Sequence, residues 1–494
     1  MNKNTSENNG QKSEYKVRRA NISKEEAKKR TVRHPETKTV SQGMSRSVPP
    51  SRNQINREPK KQTHKGSMPG YIKSNHTSSA VHQATQVSAV TNEQFPSQKK
   101  NKQKKRRQKN DFIKPTDVVR VKGGYDKILL ILVIVLTLFG LIMDFSASYP
   151  YAYSSTGDSF HYVKRQAFFA IVGIGVMLFA MRWDYRWMRK VTVPVFVFVL
   201  LLLIYVLAKG VASGVAQRWI LLGSITIQPS EFAKTAIVLI LALYIARNQD
   251  RITNYRNFWQ SSIYGMFIPV AIVGVVCLMI ALEKHFSGTI IVFAIGMMVI
   301  FAGGARKSWF IGAGATAAAI ITPAILLVPY AKERIDMWIH PENYPSTGKI
   351  WQTLQGLYAV GSGGLFGVGL GNSRQKHLYV SQPQNDFVFA IISEELGFAG
   401  AILVIILFML LVWRGFVIAL KAPDTFSSLV AIGLTSKVAI QAILNIAVVT
   451  NTIPNTGISL PFFSYGGTAL VVQLAEMGII LAISRYSYQR TSIN

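Results

Sequence analysis

The stretch "ILLILVIVLTLFGLIMDF" (Ile128–Phe145) decides the fold. It is almost unbroken apolar sequence, and about 20 such residues in a helix cross the hydrocarbon core of a bilayer. No water is available there to bind backbone N–H and C=O groups, so a spanning segment satisfies them as a helix. Nine further runs follow: Gln166–Met181, Val191–Ala208, Pro229–Ala246, Ser262–Leu282, Gly288–Gly303, Trp309–Val328, Phe387–Val412, Ser427–Val449 and Thr468–Ile483. The fourth is entered through a semi-polar stretch from Arg218 that could re-enter the membrane. The eighth is long enough to include an amphipathic start. These runs predict an all-α polytopic membrane protein with ten transmembrane helices and a large outer loop between helices 7 and 8.

Upstream of the first run the composition changes. Residues 1–127 hold +20 of the +31 net charge and show almost no apolar periodicity. Such sequence buries too little apolar surface to offset the entropy of ordering. Residues 1–122 are therefore expected to be a disordered basic cytoplasmic tail, and 123–494 the membrane domain. The run "KKNKQKKRRQKN" (Lys99–Asn110) reads as a membrane anchor that attracts anionic lipid headgroups rather than as a nucleic-acid site, because it lies just before the first span. No apolar stretch follows the early charges, so a secretory signal peptide is not expected. One cysteine, Cys277, excludes a disulfide within the chain and a thiolate metal cluster.

Orientation follows from Lys and Arg in the short loops. With the tail inside, the basic loops "RWDYRWMRK" (from Arg182), "RNQDRITNYR" (from Arg247), the "ARK" at Arg306, the Arg414–Lys421 stretch and the C-terminus all fall inside. "TNTIPNTGISLPFFSYGG" (Thr450–Gly467) has no Lys or Arg and falls outside. The long segment from Tyr330 to Asp386 is also outside. Its part "GSGGLFGVGLGNS" (Gly361–Ser373) reads either as a phosphate-cradling turn or as close packing between helices, the second being favoured.

Charge near or within a membrane run is costly and marks function by default. In "QRWILLGSITIQPSEFAK", Arg218 suits a phosphate. Glu231 sits in the first turn of a helix, with Lys234 on the same face. "LEKHFSGT" places Glu283, Lys284 and His285 at an outer helix end. In "SRQKHLYVSQPQNDFVFAIISEELG", Arg374 and Lys376 supply positive charge, Asp386 begins a helix, and Glu394 and Glu395 lie about two turns deeper. Paired carboxylates at that depth either meet a base or serve acid–base chemistry. Gln355, Ser373 and Ser464 join Arg218, Glu231, Lys234, Arg374 and Lys376 as candidate substrate-binding side chains.

These stretches together resemble the SEDS family of shape, elongation, division and sporulation proteins, over roughly residues 125–487. The resemblance rests on "QPSEFAK", "GSGGLFGVGLGNSRQK", "PQNDFVFAIISEELG" and "NTIPNTGISLPFFSYGG" in that order, and "PQNDF" is closer to the FtsW and SpoVE form than to RodA. It implies a ten-helix protein of the bacterial cytoplasmic membrane, with both termini cytoplasmic. It also implies that lipid II is polymerised into glycan strands beside a class B penicillin-binding protein, for division or sporulation. That reaction needs a carboxylate base for a sugar 4-hydroxyl and cations for a departing lipid pyrophosphate. No cofactor is certain, and a divalent cation is compatible with the pyrophosphate. The alternatives are a lipid-linked precursor transporter and a non-catalytic scaffold for the penicillin-binding protein.

One departure stands out. The second Asp-Pro of the family's outer loop, whose Asp the resemblance makes the base, is Tyr344-Pro345 in "WIHPENYPSTGKIWQTLQGLY". A phenol with a pKa near 10 is a poor base at pH 7. The candidates to replace it are Glu342 first, then Asp336, Asp386 or Glu394.

Overall fold

The computed structural model describes residues 118–120, 124–213, 216–223, 225–315, 319, 335–344, 348–486 and 488–490. The chain is built of helices: α1 (Lys127–Thr156), α2 (His161–Arg182), α3 (Tyr185–Lys209), α4 (Pro229–Ile252), α5 (Phe258–Leu282), α6 (Phe286–Ala302), α7 (Gly348–Ser362), α8 (Val388–Leu420), α9 (Thr425–Val449) and α10 (Gly467–Ser484). Among the described residues, all of these except α6 and α7 are long and apolar enough to cross a membrane, and α6 is a shorter apolar helix. The chain is a polytopic, all-α membrane protein. The seventh expected span begins as helix at 307–315, and its remainder to Val328 lies outside the described residues. α7 lies within the long outer segment, where the sequence reading placed no element.

Helix ends follow local chemistry. Asp126 caps α1 by accepting from Leu129 N at 2.9 Å, and its other oxygen pairs with Arg414 of α8 at 2.7 Å. Gly157, at φ 76°, closes α1 in the left-handed conformation that glycine adopts at least cost. α5 carries a π turn at Ile263–Phe267.

Two segments form strands where the sequence predicted none. The semi-polar stretch before α4 is an antiparallel sheet, with β2 (Val211–Ser213), β3 (Ala216–Leu222) and β4 (Ile225–Ile227). All three residues of "ITI" are β-branched, which favours a strand, and Gly223 at φ 62° lies in the turn between β3 and β4. In addition, Val118–Arg120, assigned to the tail, forms β1 and pairs antiparallel with β5 (Tyr488–Arg490). The rest of the tail expectation, residues 1–117 and 121–122, lies outside the described residues.

The α8 break explains the glycine-rich segment. Gly397 has φ 67° and ψ −165°, which interrupts the helix just after Glu394–Glu395. The freed backbone groups are satisfied by residues 363–369. Phe398 N donates to Gly364 O (2.8 Å), Ala399 N to Leu365 O (3.0 Å), Val368 N to Glu394 O (3.0 Å) and Gly369 N to Glu395 O (3.0 Å). A Cβ on Gly367 would strike the backbone at Glu395, and one on Gly397 the backbone at Leu365 and Gly367. These glycines permit close packing against a broken membrane helix, and their amides are engaged there rather than cradling a phosphate.

α4, α9 and α10 are the most enclosed spans, whereas α2 and α3 are mostly exposed toward the surroundings of the bundle. The enclosed helices and the loops at their ends carry the polar groups described next.

Candidate functional site

The first polar group gathers at the N-terminus of α4. Pro229 occupies the first turn, where its missing N–H costs nothing, and Glu231 follows where the helix dipole favours an anion. Lys234 Nζ meets Glu231 at 2.7 Å, both buried. Ser230 Oγ lies 3.3 Å from His285 Nδ1, which joins α4 to the α5–α6 turn. Lys284, at φ 57°, bends that turn. The imidazole rests over Gly288, where any Cβ would collide with the ring. Burial, Arg218 and Lys234 push the His285 pKa down to about 4, against a smaller opposing effect of Glu231.

Arg218 projects from β3 into the same neighbourhood. It is half-buried, and its Nε is enclosed without a hydrogen-bond partner. Burial lowers its pKa and the nearby Asp386 carboxylate raises it. Asp386 is anchored through its carbonyl, which accepts from Asn445 Nδ2 at 2.8 Å, while Gln352 Nε2 approaches Oδ1 at 3.5 Å. Asn445 also holds Ile458 O at 2.7 Å, fixing the start of α8 to the Thr450–Gly467 loop. Asn455 of that loop donates to Thr353 of α7 at 3.3 Å, next to the buried Gln355. Thus Arg218, Glu231 and Lys234, from one stretch, act together on His285, and Asp386, from a distant stretch, acts on Arg218.

Glu394, Ser373, Arg374 and Lys376 form a different constellation. Lys376 Nζ pairs with Glu395 at 2.6 Å with both side chains fully buried, and Ser146 of α1 donates to both Glu395 oxygens at 2.8 and 2.6 Å. The Lys376 ammonium also lies 4.6 Å from the centre of the Tyr149 ring. Glu394 accepts from Ser373 Oγ, from Arg374 N at 2.8 Å and from Gln375 N at 3.4 Å. This is a closed knot binding the segment between α7 and α8 to α8 and α1. Lys376 and Glu394 are engaged within it, and the Arg374 side chain is exposed. Ser464 is buried in its own turn, where its Oγ accepts from Leu460 N at 2.7 Å and its carbonyl from Gln166 Nε2 at 3.3 Å.

In the loop before α7, Tyr344 donates to Asp336 Oδ2 at 2.5 Å. Glu342 faces His340 Nδ1 at 3.4 Å, both exposed. Trp338 Nε1 donates to Asn451 O at 2.9 Å, and Asn451 Nδ2 donates back to Trp338 O at 3.0 Å, which fastens this loop to the end of α9. Among the described residues no three His, Cys, Asp or Glu side chains converge to hold a metal, so the protein alone offers a divalent cation no cage there.

Two buried features escaped the sequence reading. Lys437 of α9 pairs with Glu476 of α10 at 2.8 and 2.6 Å, and Thr235 of α4 donates to the same carboxylate. Asp144 of α1 is fully buried, with neither oxygen hydrogen-bonded. The available signal was a single charge inside each of the first, ninth and tenth apolar runs.

The sequence profile of the FtsW/RodA/SpoVE cell cycle proteins matches residues 126–489. The chain belongs to this family. It is 41% identical to the stage V sporulation protein E of Bacillus subtilis over 369 residues, covering 74% of this chain and 98% of that one. It is 39% identical to a probable peptidoglycan glycosyltransferase FtsW of Trichlorobacter lovleyi, covering 73% and 93%. Among solved structures it resembles a chain of a peptidoglycan synthase complex that coordinates polymerization and crosslinking, with a TM-score of 0.61, 26% identity, and 73% and 98% coverage. The rod shape determining protein RodA of Thermus thermophilus matches at a TM-score of 0.53 and 25% identity, covering 74% and 98%.

Proposed function

We propose that this FtsW/RodA/SpoVE family member is a peptidoglycan glycosyltransferase that polymerises lipid II on the outer face of the bacterial cytoplasmic membrane. The carrying observation is Arg218, a half-buried guanidinium with an unpartnered Nε, set beside Asp386 and His285 at the outer helix ends. A guanidinium in such a place suits the diphosphate of a lipid-linked sugar, with apolar helices alongside for the lipid.

The acceptor 4-hydroxyl oxygen attacks the anomeric carbon of the donor sugar. The bond from that carbon to the pyrophosphate oxygen breaks, and the pyrophosphate leaves on Arg218, with the α4 N-terminus and Lys234 behind it. The hydroxyl proton passes to a carboxylate of the outer loop. Asp336 is the first choice, because Tyr344 holds its Oδ2 and leaves Oδ1 for the sugar. Glu342, engaged with His340, is the second. The Asp386 carboxylate orients Arg218. The Glu394–Lys376 knot positions the outer segment without touching the substrate. Gln355, Ser373, Arg374 and Ser464 are supporting groups of the outer face.

A class B penicillin-binding protein is the proposed partner, and both termini are proposed to be cytoplasmic, with residues 1–117 as a basic tail at the lipid headgroups. The buried Lys437–Glu476 pair favours a second reading, a lipid-precursor transporter, because ionisable groups on several helices suit a transport path. Its close pairing argues instead for a fixed internal tie. The experiment is lipid II polymerisation by the purified chain with its partner, run beside vesicle assays of lipid II translocation. Polymer without translocation supports the transferase.

A further inference from the structure

His285 is unusual for its place. It lies in a turn bent by a residue in the left-handed region, its ring is seated on Gly288, and its Nδ1 is 3.3 Å from Ser230 Oγ at the start of α4. Charged groups act on it from two other elements: Arg218 of β3, and Glu231 and Lys234 of α4. Its own turn adds Glu283, which is buried, and Lys284, which is exposed. Burial first, and then the Arg218 and Lys234 charges, disfavour the imidazolium form.

We propose that His285 is a diphosphate-binding residue that becomes cationic when a diphosphate enters beside Arg218, so that the site takes up a proton on binding. This rests on the transferase reading and deepens it at the leaving-group subsite. The physical basis is linkage: a group whose proton affinity rises on binding draws that proton from solvent. In the empty site burial and the Arg218 and Lys234 charges disfavour imidazolium. A diphosphate diester brings two negative charges within reach, which reverses the local field and favours it. An imidazolium then donates from a ring already oriented by Ser230 and by its seat on Gly288. The ordinary pKa of histidine lies near 6.5, so the reversal must offset both burial and the two cations, lifting the pKa from about 4 to about 6 or above, to bring the transition into the range where cells operate. The departing pyrophosphate then meets one more positive charge than the empty site carries.

The test uses the full-length protein in detergent and a short-chain prenyl-diphospho-N-acetylglucosamine, a diphosphodiester that does not itself titrate between pH 5 and 8. Calorimetric titrations in buffers of different ionisation enthalpy count the protons taken up. The wild type is expected to take up about half a proton or more per ligand at pH 6. The uptake should fall toward zero at pH 8. His285→Gln, which preserves a hydrogen-bonding group, should still bind but with no uptake at either pH. A melting curve confirms that the variant is folded, and His285→Asn serves in its place if it is not. Absent binding in the wild type, absent uptake, or equal uptake in the variant would overturn the proposal. Uptake that depends on His285 in a chain that polymerises no lipid II would support this subsite and sink the transferase reading alone.

Discussion

Tyr344 donates its phenolic hydrogen to Asp336 Oδ2 across 2.5 Å, so the residue at which the sequence resemblance implies an Asp is in contact with a carboxylate eight positions earlier. The turn at Pro341–Asn343 brings the two together. The chemistry missing at position 344 has a neighbour able to supply it.

Asp336→Asn should therefore lower the rate of lipid II polymerisation by about 10²-fold or more, the usual size of a lost general base. Tyr344→Phe should cost less, because it frees Asp336 Oδ2 without removing the carboxylate. Glu342→Gln should stay within about threefold of wild type. Initial rates of glycan formation at saturating lipid II decide among them. A large loss in Glu342→Gln with an active Asp336→Asn would reverse the assignment.

The Lys376–Glu395 pair is fully buried. Removing one partner strands the other charge, which costs about 3–5 kcal/mol in comparable sites. Lys376→Met should lower the thermal midpoint in detergent and expose residues 363–376 to protease. Lys376→Met with Glu395→Gln should recover much of the loss, since no unpaired charge remains. Equal melting of the single and double variants would show that the pair is not the tie inferred above.

Gly367 lies at φ 79°, with any Cβ directed onto Glu395 O. Gly367→Ala should break the hydrogen bonds that repair the α8 kink and destabilise the fold, whereas Gly371→Ala, at φ 83° but with open space around it, should cost only the backbone strain of about 1 kcal/mol. Paired melting curves of the two variants measure the difference. Equal losses would mean that the close approach contributes nothing.

Glu283 is buried beyond the end of α5, and burial pushes its pKa up to about 8. The native state thus binds its proton more tightly than the unfolded chain. Stability should fall as pH rises from about 4.5 to about 8, and the loss is complete above that. Glu283→Gln should melt at the same temperature as wild type near pH 4 and higher at pH 8.5, with a gap on the order of a few kcal/mol. A gap of the opposite sign would place a cation beside Glu283.

The spans were legible because hydropathic runs of membrane length have few other solutions. Nine of the ten runs lie on helices, and the tenth begins as one. The β2–β4 sheet was hidden because its strands are short and two of them carry no clear alternation. The outer polar group was half legible. Arg218, Glu231 and Lys234 stood out as charges at a helix start, but their meeting with His285 and Asp386 depends on contacts between residues far apart in the chain. Lys376 and Glu394 looked like chemistry because charge at depth is rare. Their partners, Glu395, Ser146 and Ser373, make them a tie instead, and pairing of that kind is invisible in one sequence. Lys437 and Glu476 were visible as isolated charges, 39 positions apart, with nothing local to join them.

The central claim is that Arg218 receives the diphosphate of lipid II on the outer face during glycosyl transfer. The most direct measurement is glycan polymerisation by the purified protein with its penicillin-binding partner, comparing wild type with Arg218→Gln. The account predicts polymer from the wild type and a loss of about 10²-fold or more in the variant, with folding intact. Polymer formed equally by both would contradict it.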